Sequence, residues 1–296
     1  VIRIGTRGSV LALAQARWVA ARIEDAELVE IATAGDRGEL TEDKSRWTSE
    51  IERALLEGEI DIAVHSAKDV PIELAPGTTI VAVPAREDPR DVLCGAVSLQ
   101  AVPEGARVGT SSLRRAAQLR AQRPDLQIVE LHGNVDTRLR KLADGEADVI
   151  VLAAAGLSRL GRSDAVGAVL DQLIPAPGQG ALLVQGREGD RIAGDLQLTV
   201  GNTGAAALMA ERTLARLLGA SCNTPLGVLA DDGEQGERLA EGDVRLRGWV
   251  GLPDGSSWIA DELIGSPQEA GIEMADRMLA AGAEEILGRA QEMAQG

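Results

Sequence analysis

Along residues 1 to 24 the apolar positions first mark a short strand through Ile2 and Ile4. A Gly-Thr turn follows, and then a helix that carries Leu11, Leu13, Trp18 and Val19. The same strand-turn-helix order returns in ARVGTSSLRRAAQLRAQ, residues 106 to 122, so that Arg3-Ile4-Gly5-Thr6 aligns with Arg107-Val108-Gly109-Thr110. A second pair follows in the same order. LLEGEIDIAV (55 to 64) matches LADGEADVIV (142 to 151), each ending a helix at Gly and passing through Glu and Asp into an apolar run. Gly supplies the left-handed position after a helix, and a continuous apolar run suits a buried parallel strand. Two ordered matches predict two α/β domains of similar topology.

REDPRD (86 to 91) and the Pro-rich IPAPGQG (174 to 180) are the expected crossings between these domains. The first domain is then discontinuous, 1–85 with 180–201, and the second is 86–179, an arrangement that makes a hinge with a cleft. Beyond residue 202 the pattern changes. A helix with Ala207, Leu208, Leu214 and Leu217 precedes ASCNTPLG, then come strand-like runs at 228–230, 244–250 and 258–263, and one long helix over 267–292. This predicts a small α+β third domain, 202–296, and a chain of 296 residues is long enough for three.

Composition narrows the classes. Phe and Tyr are absent and only four Trp occur, so the core must be Val, Leu, Ile and Ala. A net charge of −16 and a pI near 4.6 argue against nucleic acid as a partner. No apolar run of about 18 residues could span a bilayer. The start VIRIGTRGS has no apolar signal core, so a cytoplasmic address is expected. Cys94 and Cys222 give no disulfide framework. With His65 and His132 the only histidines, no zinc spacing exists and no metal is implied.

Against this acidic background, residues 107 to 141 carry Arg107, Arg114, Arg115, Arg120, Arg123, Arg138, Arg140 and Lys141. Only three bases in the chain are lysine (Lys44, Lys68, Lys141); the rest of the 30 are arginine, whose planar fork grips carboxylates and phosphates. Four segments fall where strands lead into helices, the usual ligand position of open α/β sheets. Gly5-Thr6-Arg7-Gly8-Ser9 sets Arg7 and Ser9 at a helix mouth, where the bland alternative is a Gly turn with a Ser cap. His65-Ser66-Ala67-Lys68-Asp69 sets an acid beside an ammonium, a pairing that would keep Asp69 ionised. His65 itself reads as a satisfied structural residue. Gly109-Thr110-Ser111-Ser112-Leu113-Arg114-Arg115 offers hydroxyls and two adjacent arginines, which point about 100° apart and could grip two different carboxylates. The fourth, 131–141, carries His132, Asp136 and Arg138. A solvated arginine is the ordinary alternative at each position, but together the four suggest a ligand bearing several carboxylates or phosphates. Cys94 reads as a small buried hydrophobe, whereas Cys222, in a Gly, Ser, Asn and Pro loop, reads as a presented thiol.

RIGTRGSVLALAQ, GEIDIAVHSAKDVP, REDPRDVL, VGTSSLRRAAQLRAQRPDL, HGNVDTRLRKL, VLAAAGLSRLG, PAPGQGALLVQ and the Cys222 loop occur in an order that resembles the porphobilinogen deaminase (hydroxymethylbilane synthase) family over nearly the whole chain. The resemblance implies two domains like type-2 periplasmic binding proteins plus a small third domain. It implies a dipyrromethane cofactor joined through a thioether to Cys222. Four porphobilinogen units would be added head to tail with loss of ammonia, and the linear tetrapyrrole released by hydrolysis. Position by position, Asp69 resembles the catalytic acid. Lys68, Thr110, Ser111, Ser112, Arg114 and Arg115 resemble cofactor contacts, and Arg7, Ser9, His132, Arg138, Arg159 and Gln179 resemble substrate contacts. A monomer is implied. His132 departs from the family's usual arginine, the loop from Gly38 to Trp47 lacks its usual Gly-Lys-Gly and Phe, and Ser221 stands where a second Gly is common. The alternative is a non-catalytic two-lobed module that binds an organic anion; no Walker-type G-x-x-x-x-G-K-[ST] supports phosphoryl transfer.

Overall fold

The computed structural model describes residues 1–36, 44–219, 224–233 and 239–295. The chain divides into two compact units, Val1–Glu87 with Gly178–Leu208, and Asp88–Pro177 with the residues from Met209 onward. Along the chain run β1 (Ile2–Thr6), α1 (Val10–Ala20), β2 (Ala26–Glu30), α2 (Ser49–Leu56), β3 (Ile62–Ser66), β4 (Thr78–Ala82), β5 (Asp91–Cys94), β6 (Arg107–Gly109), α3 (Leu113–Gln122), β7 (Gln127–Val129) and α4 (Val135–Ala143). There follow β8 (Val149–Ala153), α5 (Ala154–Arg159), β9 (Ala168–Val169), β10 (Leu182–Arg187), α6 (Ile192–Thr199), α7 (Ala205–Leu217), β11 (Leu226–Asp231), β12 (Val244–Gly251), β13 (Trp258–Gly265), α8 (Pro267–Ala280) and α9 (Ala283–Gln295).

The first unit holds a five-stranded sheet in the order β2-β1-β3-β10-β4; the second holds β7-β6-β8-β5-β9. These are one design used twice. β1 is parallel to β2 and β3 while β10 runs antiparallel between β3 and β4, and β6, β7, β8, β5 and β9 repeat that pattern. The register repeats as well: Ile4 faces Ile62 and Gly5 faces Ala63, just as Val108 faces Val149 and Gly109 faces Ile150. In each sheet the antiparallel strand follows one of the expected crossings, β5 after REDPR and β10 after IPAPGQG.

The duplicated Asp of Gly-Glu-x-Asp has the same task in both. Asp61 accepts from the backbone N–H of Arg3 at 2.8 Å and from its guanidinium, and Asp148 does so from Arg107 at 2.7 Å. Each clasp fixes the first strand against the third at the end remote from the helix-entry loops. Gly5 and Gly109 then lie over the residue between Glu and Asp: a Cβ would come within 2.3 Å of Ile60 Cδ1, or 3.1 Å of Ala147 Cβ.

With no Phe or Tyr, the cores are aliphatic. Ile4, Val64, Val81, Leu182 and Val184 fill the first, and Leu93, Val108, Leu119, Val151 and Leu170 the second. Each fully buried Ile or Leu contributes about 1.5–3 kcal/mol.

The second unit also contains the antiparallel sheet β11-β12-β13. It is joined to the mixed sheet of that unit at several points. Arg120 donates to Pro253 O at 2.8 Å, Val228 N–H donates to Pro175 O at 2.8 Å, and Gly227 lies so near Ile174 that a Cβ would meet its carbonyl oxygen at 2.6 Å. The single helix expected over 267–292 is in fact two. α8 stops before Gly282, whose φ of +100° no helix accommodates, and α9 starts after it.

Candidate functional site

In the first unit a pocket of about 410 Å³, open mouth included, is lined among others by Arg7, Ser9, Trp47, Thr48, His65 and Asp69. β1 delivers Arg7 and Ser9. Ser9 caps α1, its Oγ accepting the Ala12 N–H at 3.3 Å, so the cap and the pocket wall are one residue. β3 delivers His65, and the 3₁₀ turn Ala67–Asp69 that follows sets Asp69 at the pocket. That turn is covered by Gly178, at φ +75°, where a Cβ would stand 2.9 Å from the Ala67 carbonyl carbon and 3.0 Å from Lys68 N. Beside it Gln179 is buried, its carbonyl accepting from Arg86 Nε at 2.8 Å.

Lys68 and Asp69 are neighbours in that turn, but the acid that meets Arg7 is not Asp69. The pocket's fixed ion pair is instead Arg7 with Asp36, made through both Nε (3.2 Å) and Nη2 (2.5 Å), with the guanidinium 4.0 Å from the centroid of the Trp47 ring. Asp36 also accepts from Thr33 Oγ1 at 2.8 Å and Thr33 N–H at 3.2 Å. Burial pushes its carboxyl pKa up, but the Arg7 and Thr33 hydrogen bonds outweigh this and hold it below the usual range.

His65 is not the satisfied residue expected. Its ring is 6% exposed and Nε2 has no hydrogen-bond partner. Burial pushes its pKa down to about 4, with Arg7 acting in the same direction and Glu52, Gln185 and Asp69 opposing. The Gln185 amide is near enough to favour the charged ring, yet its Oε1 makes no hydrogen bond of acceptable geometry.

In the second unit, Thr110, Ser111 and Ser112 follow β6. Thr110 is buried, its Oγ1 accepting the Ser112 N–H at 3.1 Å, and Ser112 caps α3. Arg114 and Arg115, about 100° apart on the helix, could grip two different carboxylates. Both instead meet one carboxylate of the chain, Asp91, fully buried at the start of β5. Arg114 Nη1 donates to Asp91 Oδ2 at 2.7 Å and to Ile174 O at 2.8 Å. Arg115 gives Nη2 and Nε to Asp91 Oδ1 at 2.7 and 3.0 Å, and Nη1 to Val151 O at 3.0 Å. Although burial raises the Asp91 pKa, the two guanidiniums hold it far below the usual range.

Arg138, on α4, reaches Ser111 Oγ at 3.1 Å and so joins the third and fourth predicted segments. Burial, aided by the Arg115 charge, pushes its pKa down to about 10. The Nε groups of Arg114 and Arg138 are buried and have no acceptor. His132 stays exposed and lies 2.9 Å from Glu130. Arg159 ends α5, partly buried. Cys94 is buried, its pKa raised to about 11 by burial, as suits an inert thiol. Cys222, with Ser221, lies outside the described residues, as does most of the loop from Gly38 to Trp47.

Several members of the basic island hold the fold. Arg107 clasps Asp148, Arg123 pairs with Asp125 at 2.6 Å, and Lys141 approaches Glu146 at 3.5 Å. The residues missed by sequence reasoning are the acids, Asp36 and Asp91. The signal for Asp91 was available: an acid heading Asp-Val-Leu-Cys, a strand buried at every position. Among the described residues no three His, Cys, Asp or Glu are grouped to hold a metal ion, and no helix is long and apolar enough to cross a membrane.

Two family models match the chain. A family model described as porphobilinogen deaminase, dipyrromethane cofactor binding domain, matches residues 2–194, and one for the porphobilinogen deaminase C-terminal domain matches 205–280. A porphobilinogen deaminase from Thermus thermophilus is 46% identical over 97% of this chain and 98% of its own length. One from Rubrobacter xylanophilus is 45% identical over 96% of each. Among solved structures, a periplasmic substrate-binding protein of an ABC transporter from Coxiella burnetii aligns with a TM-score of 0.45 at 13% identity, covering 72% of this chain and 97% of that one.

Between pH 6.5 and about 4 the unfolded chain binds a proton at His65 that the folded chain refuses. Stability is therefore complete above the ordinary His pKa and falls as pH drops through this window, by about 3 kcal/mol at most. His65→Gln is expected to flatten the decline of the urea midpoint between pH 6.5 and 4.5. An unchanged decline would show that the folded ring takes up its proton freely.

Proposed function

The chain belongs to the porphobilinogen deaminase family, and from that premise we propose which of its residues carry the reaction. The activity is that of porphobilinogen deaminase in tetrapyrrole biosynthesis, with a dipyrromethane cofactor. The match over both parts of the chain leaves no need for the alternative of a non-catalytic anion-binding module. The observation that supports the residue assignment most directly is the convergence of Asp69, Arg7 and Ser9 on one pocket.

The chemistry of the donors fits a cofactor built from two pyrroles that each bear an acetate and a propionate. Arg114 and Arg138 keep buried guanidinium N–H groups without acceptors, the condition a carboxylate relieves. Lys68, Asp69, Thr110, Ser111, Ser112, Arg114 and Arg115 are the residues that would hold it, with Cys222 as its thioether anchor. When bound, the dipyrromethane supplies the free pyrrole α-carbon to which successive units are added.

Asp69 acts on the incoming porphobilinogen. Its carboxylate accepts from the pyrrole N–H and opposes the positive charge that spreads over the ring as the aminomethyl C–N bond breaks and the protonated amine departs as ammonia. A carboxylate aimed at developing charge is among the most effective stabilisers available. Arg7, Ser9, Arg138, Arg159 and Gln179 take the substrate side chains and the neighbouring backbone. His132, paired with Glu130 and exposed, offers a carboxylate less than the family's arginine would. The same reading puts the reaction in the cytoplasm and assigns it to a single chain, in keeping with a free, buried Cys94.

Intact mass tests the anchor. The purified protein is expected to exceed its sequence mass by two linked pyrrole units, and Cys222→Ala to sit at the bare mass and be inactive; full turnover at bare mass would refute the covalent primer. Asp69→Asn is expected to keep the added mass and the urea midpoint while losing at least about 100-fold in kcat. Near-normal kcat in that variant would remove Asp69 from the chemistry.

A further inference from the structure

Arg7 is held on two sides before any ligand arrives. Asp36 takes the Nε and Nη2 edge, and the indole of Trp47 lies under one face at 4.0 Å. Trp47 is itself seated against Gly35, where a Cβ would fall 2.1 Å from ring carbons Cε3 and Cζ3, so no other residue lets the indole reach this depth. Asp36 is fixed in turn by the Thr33 hydroxyl and N–H. Among the described residues Arg7 Nη1 donates to no acceptor, and Arg7 lines the same pocket as Asp69.

A guanidinium has five N–H donors in one plane. With one edge and one face engaged, its orientation is set, and the terminal nitrogen Nη1 remains for an acceptor in the pocket. Asp36 also neutralises the Arg7 charge within the pair. The remaining attraction suits one monoanionic carboxylate and disfavours a second anion on the same arginine. A long, otherwise flexible side chain thus loses its rotamer freedom during folding rather than during binding, which lowers the cost of capture.

We propose that Asp36 and Trp47 are positioning residues for Arg7, presenting its Nη1 to a single carboxylate of porphobilinogen. This rests on the assignment of Arg7 as a substrate contact. Both act through the guanidinium, Trp47 from its place in the pocket wall. Their loss should therefore appear in KM more than in kcat, and should depend on Arg7 being present.

The test is a double-mutant cycle on the cofactor-loaded enzyme, each variant first shown by intact mass to carry its cofactor. Asp36→Asn keeps the size of the side chain but places an amide N–H against the guanidinium. It is expected to raise KM for porphobilinogen about tenfold, the worth of one charge-assisted hydrogen bond, with kcat changed less than about threefold. Trp47→Leu should raise KM in the same way and Trp47→Phe should recover most of the loss. In an Arg7→Lys background, Asp36→Asn is expected to change KM no further. An undiminished effect there would mean that Asp36 acts only through Thr33 and the fold, which overturns the proposal. A KM that falls in Asp36→Asn would make Asp36 a competitor for Arg7 and overturn it too. If Arg7→Lys alone leaves KM unchanged, the assignment of Arg7 fails; if Arg7→Lys raises KM and Asp36→Asn does not, only the positioning role fails. The urea midpoint of each variant, expected within about 1 kcal/mol of the parent, separates these effects from unfolding.

Discussion

One buried carboxylate organises the second unit. Asp91 has no exposed surface, and it is held ionised by Arg114 and Arg115, both within 2.7 Å. Taking these charges out of water costs several kcal/mol per ion, offset by the hydrogen bonds and ion pairs to Asp91 and by the backbone carbonyls of Val151 and Ile174, while Arg114 Nε is left without an acceptor. Its geometric consequences reach through the unit. Asp91 opens β5, the strand that enters the mixed sheet antiparallel. The arginines begin α3, and their remaining donors reach Val151 on β8 and Ile174 at the start of the Pro-rich segment. Gln118 fixes Ile174 from the next turn of α3 through its amide, donating to O at 2.9 Å and accepting from N–H at 2.7 Å. The charge ledger of this cluster does not balance: two guanidiniums share one carboxylate, with Arg138 nearby. A local positive excess within a chain of net charge −16 focuses attraction for anions at this cluster.

The two units share a backbone plan and differ in how they equip it. Each has an Arg-Asp clasp at one end of its first strand, a glycine that lets the third strand approach, and a serine-capped helix at the other end. At the first unit's helix entry a single arginine is paired and stacked, and lines the same pocket as Asp69. The second unit has three arginines at the equivalent entry and its neighbour, and no equivalent of Asp69. The shared plan thus carries two different arrangements of arginine at its helix entries.

The sequence made much of this legible. Repeated Arg-x-Gly-Thr and Gly-Glu-x-Asp patterns foretold the duplicated sheets because each feature is local: a glycine turn, an apolar run, a helix start. The partners of the arginines were not legible in the same way. Asp91 lies 23 residues from Arg114, and Asp36 lies 29 from Arg7, so only the folded sheet brings them together. The 100° offset of consecutive helix positions was sound geometry, but long side chains bend, and two forks can converge on one acid. His65 looked like a satisfied core residue because sequence shows burial and not the missing partner. The break at Gly282 was concealed by apolar periodicity that continues on both sides of it.

The central claim is that Asp91 holds the arginine pair in place, and urea unfolding of Asp91→Asn beside the parent protein tests it most directly. Removing one partner of a buried ion cluster leaves charge without compensation, so a loss of about 3–5 kcal/mol and a clearly lowered midpoint are expected. A midpoint equal to that of the parent would contradict the claim, since Arg114 and Arg115 would then be anchored without the acid.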